Sequence, residues 1–161
     1  MTNDIRLLLL ALWLGAAMFF SAVVAPTTFA VLRAYMLPNA GEIAGTIINR
    51  ALAVVNLSGF IGSVVLLLMA LLVKRATRLF LLELISLAVV AIATGVGQWV
   101  IAARLHSLRA AMVLPIDQIP PTDPGRIAFN NLHKYSVTAL AIAMIAALIA
   151  FFVIAHRARV N

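Results

Sequence analysis

The chain has 161 residues, 65% of them hydrophobic and only 11% charged, with a mean hydropathy of +1.12. That balance lies far outside the soluble globular range, and a water-soluble fold of this size could not bury so much apolar surface. The net charge of +7 would raise nucleic acid as a partner, but the basic residues flank apolar runs and form no basic face with interleaved aromatics, which argues against it. The absence of cysteine excludes disulfides, thiolate metal sites and a cysteine nucleophile.

A hydrocarbon core about 30 Å thick is crossed by roughly 20 apolar residues of helix. Four charge-free stretches qualify, at 7–32, 51–73, 84–103 and 135–155. The expected fold is therefore all-α, a single transmembrane domain over 1–161 built as an antiparallel up-down four-helix bundle. The first stretch imitates a signal peptide, with Arg6 ahead of it and small residues from Ser21 to Ala25. It is too long for a signal's apolar region, and Pro26 follows the plausible cleavage point, so it reads as a retained first helix.

Pro26 lies inside that run and removes the donor that the Ala22 carbonyl needs, so a kink or break is expected there, with Arg50 and Asn56 of the second helix as candidate substitute donors. The second helix should start near Ala40, capped by Asn39 with Glu42 at the reciprocal position, and run to about Arg75. Asn49, Asn56 and Ser63 recur every seven residues with Gly59 beside them, a stripe suited to close helix packing. The link 74–78 is so short that helices 2 and 3 must be antiparallel neighbours.

The third helix should extend past the membrane to about Val113, so helices 2 and 3 both outrun the bilayer. Glu83, at its start, is a functional candidate because carboxylates near a span are costly, and it could pair with Arg6, Lys74 or Arg78. Gln98 and Arg109 share one face, three turns apart, and Gly95 and Gly97 are packing positions. The segment 114–125 holds four prolines and reads as a loop, and Asp123-Pro124 as the cap and first position of helix 4. Ala139, Ala143 and Ala147 line the packing face of that helix.

If helices 3 and 4 pair about that loop, His106 and His133 come to similar heights, with Arg104, Arg109, Asn130, Asn131 and Lys134 nearby. Facing histidines could ligate haem or a metal, and the cations would suit propionates or phosphate. Neither histidine sits in a recognised ligand-spacing motif, and the chain has no catalytic triad, phosphate-binding glycine loop or zinc-protease helix. Lys and Arg divide six and six between the two sides. The tighter crowding of Arg6, Lys74, Arg75, Arg78, Arg157 and Arg159 against helix ends places the termini in the cytoplasm.

The runs Leu14-Gly15-Ala16-Ala17-Met18-Phe19-Phe20 and Val23-Val24-Ala25-Pro26-Thr27-Thr28-Phe29 are distinctive. So are Ala40-Gly41, Asn56-Leu57-Ser58-Gly59 and Phe129-Asn130-Asn131-Leu132-His133-Lys134-Tyr135-Ser136. Together they resemble, over nearly the whole chain, a bacterial four-helix membrane family of unknown function. That family is related to a eukaryotic transmembrane protein associated with platinum-drug resistance. A fainter likeness extends to copper-resistance membrane proteins of the D type and to the bacterial haem-containing protoporphyrinogen oxidase. The resemblance implies a multi-pass protein of the bacterial inner membrane and directs attention to Pro26, Asn56, Asn130 and His133, but it implies no reaction.

The sequence leaves three functions open. One is a non-catalytic accessory or structural subunit of a larger membrane assembly, holding lipid or pigment. The second is a haem- or metal-binding redox protein using His133 and His106. The third is a small transporter relying on Glu83, Gln98 and the Pro26 kink.

Overall fold

The computed structural model describes residues 2–72 and 78–160. The link expected at 74–78 therefore falls, except for Arg78, outside the described residues. Four helices among those described are long and apolar enough to cross a membrane.

Helix α1 comprises Thr2–Phe19, a π-helical segment Phe20–Val24 and Ala25–Ala34. Helix α2 is Ala40–Leu72. Helix α3 joins Arg78–Gly95, a second π-helical segment Val96–Ile101 and Ala102–Ala110. A 3-10 turn, Ile116–Gln118, interrupts the proline-rich loop, and α4 is Pro124–Val160. Helix α3 ends at Ala110, about a turn before the expected Val113.

Each helix packs on the next, and α1 closes the ring against α4. The polar contacts give the directions. The start of α1, the start of α3 and the end of α4 meet where Arg6, Glu83 and Arg157 join. The start of α2 meets the end of α3 where Glu42 joins Arg109. Helices α1 and α3 thus run one way and α2 and α4 the other, as an up-down bundle.

The interior is assembled from interlocking aliphatic and very small side chains. Leu10, Leu66, Leu87, Val90, Ala146, Ala147, Ala150 and Ile154 form one core cluster drawn from all four helices. Ala17, Phe20, Ile48 and Leu140 form another. Ala17, Ala143, Ala147 and Ala150 are fully buried. In lipid there is no water to expel from between apolar helices, so close backbone approach over such small residues supplies dispersion contacts that large side chains would prevent. The outward side chains are equally apolar, among them Leu12, Val54, Ile92 and Phe152, because hydrocarbon solvates them.

The stripe on α2 differs from its expected membership. Asn56, Gly59 and Ser63 are buried, but Asn49 is exposed. Seven residues fall short of two full turns of 3.6, and over a straight helix the drift turns the first member of the series outward.

Pro26 does not break α1. The chain widens for one turn ahead of it, and the Ala25 N–H reaches back five residues to the Phe20 carbonyl. Helical geometry resumes at Ala25 with the proline in its first turn, where the missing donor matters least. Hydroxyls give extra bonds on either side: Ser21 Oγ donates to the Ala17 carbonyl at 2.8 Å and Thr28 Oγ1 to that of Val24 at 2.7 Å.

A charge layer, a polar seam and an extramembrane cap

Glu83 is completely buried and accepts a hydrogen bond on each carboxylate oxygen, from Arg6 on Oε1 and from Arg157 on Oε2. Arg6 is itself 3% exposed, and the Arg157 guanidinium lies over the Phe80 ring, 5.2 Å from its centroid. Of the partners expected from sequence, Arg6 is engaged, Arg78 is exposed and Lys74 lies outside the described residues. Arg157 was not foreseen. Its signal was the antiparallel register, since the end of α4 must return to the level at which α3 begins. Two cations on one carboxylate, each by a charge-assisted bond, clasp three helices at the end that carries both termini.

Deeper in the bundle, Trp13 Nε1 donates to the Val55 carbonyl at 3.0 Å, and its indole lies against Gly59. A Cβ on Gly59 would sit 2.6 Å from the indole, so only glycine permits this approach. Asn56, buried, packs its amide on Gly97, where a Cβ would lie 3.1 Å from Nδ2. Gly97 belongs to the π-helical segment of α3, closed by the Ala102 N–H bonding to the Gly97 carbonyl. Phe60 meets Trp99 edge to face at 4.8 Å across the same seam. Gln98 Oε1 is buried with no hydrogen-bond partner among the described residues. The π-turns of α1 and α3 each re-aim one helix relative to its neighbours, the usual consequence of a single inserted residue.

At the opposite end the helices outrun the apolar spans and carry a polar cap. The Arg109 Nε lies 2.8 Å from both carboxylate oxygens of Glu42, and the Ile116 N–H donates to Glu42 Oε2 at 3.2 Å. Burial raises the Glu42 carboxyl's pKa, but the Arg109 hydrogen bond, the Ile116 N–H and the Arg109 charge outweigh it and leave the pKa below its ordinary value.

This corrects the expected capping box. With Glu42 drawn to a guanidinium, the start of α2 is capped from the loop instead. Asp117 Oδ2 accepts from the Glu42 N–H at 3.1 Å, and Asn39 Oδ1 accepts from Gln118 Nε2 at 3.2 Å. The α4 cap follows expectation, with Asp123 Oδ1 accepting from the Arg126 N–H at 3.0 Å. Arg109, engaged in this cap, does not extend a polar face inward with Gln98.

His106, His133, Asn130 and Arg50 are exposed, and Pro26 is exposed near the end of the first span. Among the described residues no three of His, Asp and Glu gather in a way that could hold a metal ion.

Residues 8–113 match a protein family described as a domain of unknown function. The chain belongs to the DUF4149 family. No curated protein and no solved structure matches the chain. The matched segment of this DUF4149 chain carries α1 from Leu8 onward, α2 and α3, hence Pro26, Glu42, Asn56, Glu83, Gln98 and Arg109. It stops before α4, so the run from Phe129 to Ser136 with His133 lies outside it.

Proposed function

We propose that this chain is a non-catalytic accessory or structural subunit of a larger assembly in the bacterial inner membrane, with its termini in the cytoplasm. The observation that supports this reading best is the state of Glu83. A carboxylate within a membrane bundle is the natural seat of proton or ion coupling, and here both of its oxygens are engaged by arginines on two other helices. Spent in that way, Glu83 ties helices together. The remaining acids of the cap are likewise engaged in ion pairing and helix capping.

An accessory subunit also accounts for an outer surface apolar along the spans, since such a surface packs equally well on lipid and on other transmembrane helices. The resemblance to the platinum-resistance protein's family rests on the residue runs quoted above, the fainter likeness to the copper-resistance proteins is an analogy of bundle architecture, and neither supplies a reaction.

Native mass spectrometry of the full chain, extracted from its own membranes in mild detergent, tests the reading. Other membrane proteins at fixed stoichiometry, lost when a bulky residue is placed on an outward face (Val54→Trp or Ile92→Trp), are the expected result. A lone chain or homo-oligomer under conditions that preserve known complexes would overturn it.

One observation favours a small transporter instead, namely Gln98 Oε1, buried without a hydrogen-bond partner among the described residues, in the same π-turn whose Gly97 meets Asn56. Vesicle flux abolished by Gln98→Leu, in a chain found without partners, would establish that second reading.

A further inference from the structure

The bundle carries a second charged level, and its height follows from the register. Asn56 faces Gly97. Arg50 lies six residues back along α2 and Arg104 seven residues on along α3, both about 10 Å from that contact and therefore level. On α4, Lys134 stands 23 residues before Arg157, while Arg104 stands 21 residues after Glu83. With Arg157 bonded to Glu83, about 34 and 31 Å of helix bring Lys134 and Arg104 to the same height. That separation is the thickness of a hydrocarbon core.

All three side chains are exposed, on three helices consecutive around the ring. Trp99 and Tyr135, 53% and 65% exposed, lie at or just inside this level, where amphipathic rings gather at a membrane surface. The acids of this end are all farther out and committed: Glu42 to Arg109 and the Ile116 N–H, Asp117 to the start of α2, Asp123 to the start of α4. Among the described residues Arg50, Arg104 and Lys134 form no ion pair with any of them.

We propose that Arg50, Arg104 and Lys134 form a three-sided cationic girdle that binds anionic phospholipid headgroups in the leaflet on the side of the loop. Each side chain stands at the edge of a charge-free span, its stem against acyl chains and its charge at the phosphates. The occupant is a phospholipid because the girdle faces outward at headgroup height, with the continuous apolar surface of the spans below it for acyl chains. Helix α1 carries its cation, Arg33, beyond its charge-free run and over the Phe29 ring, 5.7 Å from the centroid, so the girdle is drawn from the other three helices.

The test uses the full chain in mild detergent at low salt, offered phosphatidylglycerol and phosphatidylcholine in equal amounts, with bound lipid read by native mass spectrometry. Inorganic phosphate alone is a separate arm. Preferential retention of phosphatidylglycerol is expected, weakening on the order of fivefold for each charge removed across R50Q, R104Q and K134Q. Raised salt should erase it. The charge-preserving pair R50K/R104K should keep the preference, and R78Q, an exposed cation at the other end, should leave it intact. Equal retention of the two lipids, an unchanged preference in the triple Gln variant, loss of the preference in R78Q, or displacement of the lipid by inorganic phosphate would each overturn the proposal.

Discussion

Arg6 and Glu83 stand on helices that do not adjoin: α1 and α3 lie diagonally across the ring, and the ion pair between them crosses the bundle axis. Arg157 reaches the same carboxylate from α4. The pair therefore fixes the diagonal, which the packing of neighbouring helices leaves loosest, one turn from the aliphatic core at Leu10, Leu87 and Ile154.

Glu83→Gln should be strongly destabilising, because it leaves the buried Arg6 guanidinium facing a neutral amide in place of its anion. Loss of one partner in a buried pair costs about 3–5 kcal/mol. The melting temperature of the purified chain should fall accordingly. A double replacement, Arg6→Met with Glu83→Met, should cost much less than Glu83→Gln alone, since it removes the buried charge together with its partner, and Arg157 is near enough to the surface to reach water. A double variant as unstable as the single one would show that the clasp is not the source of the loss.

Gly59→Ala places a methyl group where the Trp13 indole lies and should displace the ring from the Val55 carbonyl. Overpacking of this kind costs about 1–3 kcal/mol, and a change in tryptophan emission should accompany it. At Gly15 and Gly62 an added Cβ would meet nothing within 4 Å. Alanine there should be neutral or stabilising by up to about 1 kcal/mol through helix propensity.

The Glu42 clasp should be sensitive to acid. Its carboxyl titrates below the ordinary value of 4.5 in the folded chain, so the stability it contributes is present above that value and is lost as pH falls through the lower, folded pKa. Hydrogen exchange in 111–118 and at the start of α2 should accelerate as pH falls below about 4.5, after correction for intrinsic rates. In Glu42→Gln that acid-dependent step should vanish, and exchange should already be fast at neutral pH.

Asp117→Ala removes the side chain that caps α2 from the loop, worth about 1 kcal/mol. The amide of Glu42 should lose protection while those near Asn56 keep theirs. Asn39→Ala should have the smaller effect, because the Asn39 side chain accepts from Gln118 and does not cap the helix. Exchange rates in the opposite order would restore the capping box expected from sequence.

The sequence by itself determined the four spans, their all-α character and their alternation. A charge-free run of 20 residues in a chain this apolar has one cheap solution, a helix whose backbone polar groups bond within the segment. It also determined the Asp123-Pro124 start of α4, because a capping carboxylate and a proline act within a few residues of themselves. Pro26 was legible as a perturbation but not as a π-turn, since whether a helix breaks, kinks or widens depends on what its neighbours allow.

Only the tertiary structure decided the polar contacts. Whether Glu83 would meet Arg78 five residues away or Arg157 on the last helix is settled by register and by the ring order of the helices. Glu42 likewise gave up its local cap because Arg109, 67 residues on, presents a stronger, charge-assisted bond. Lipid and protein solvate apolar side chains alike. The inward face of each helix therefore carries little periodic signal and is fixed only by the small residues and the few polar groups that find one another in the fold.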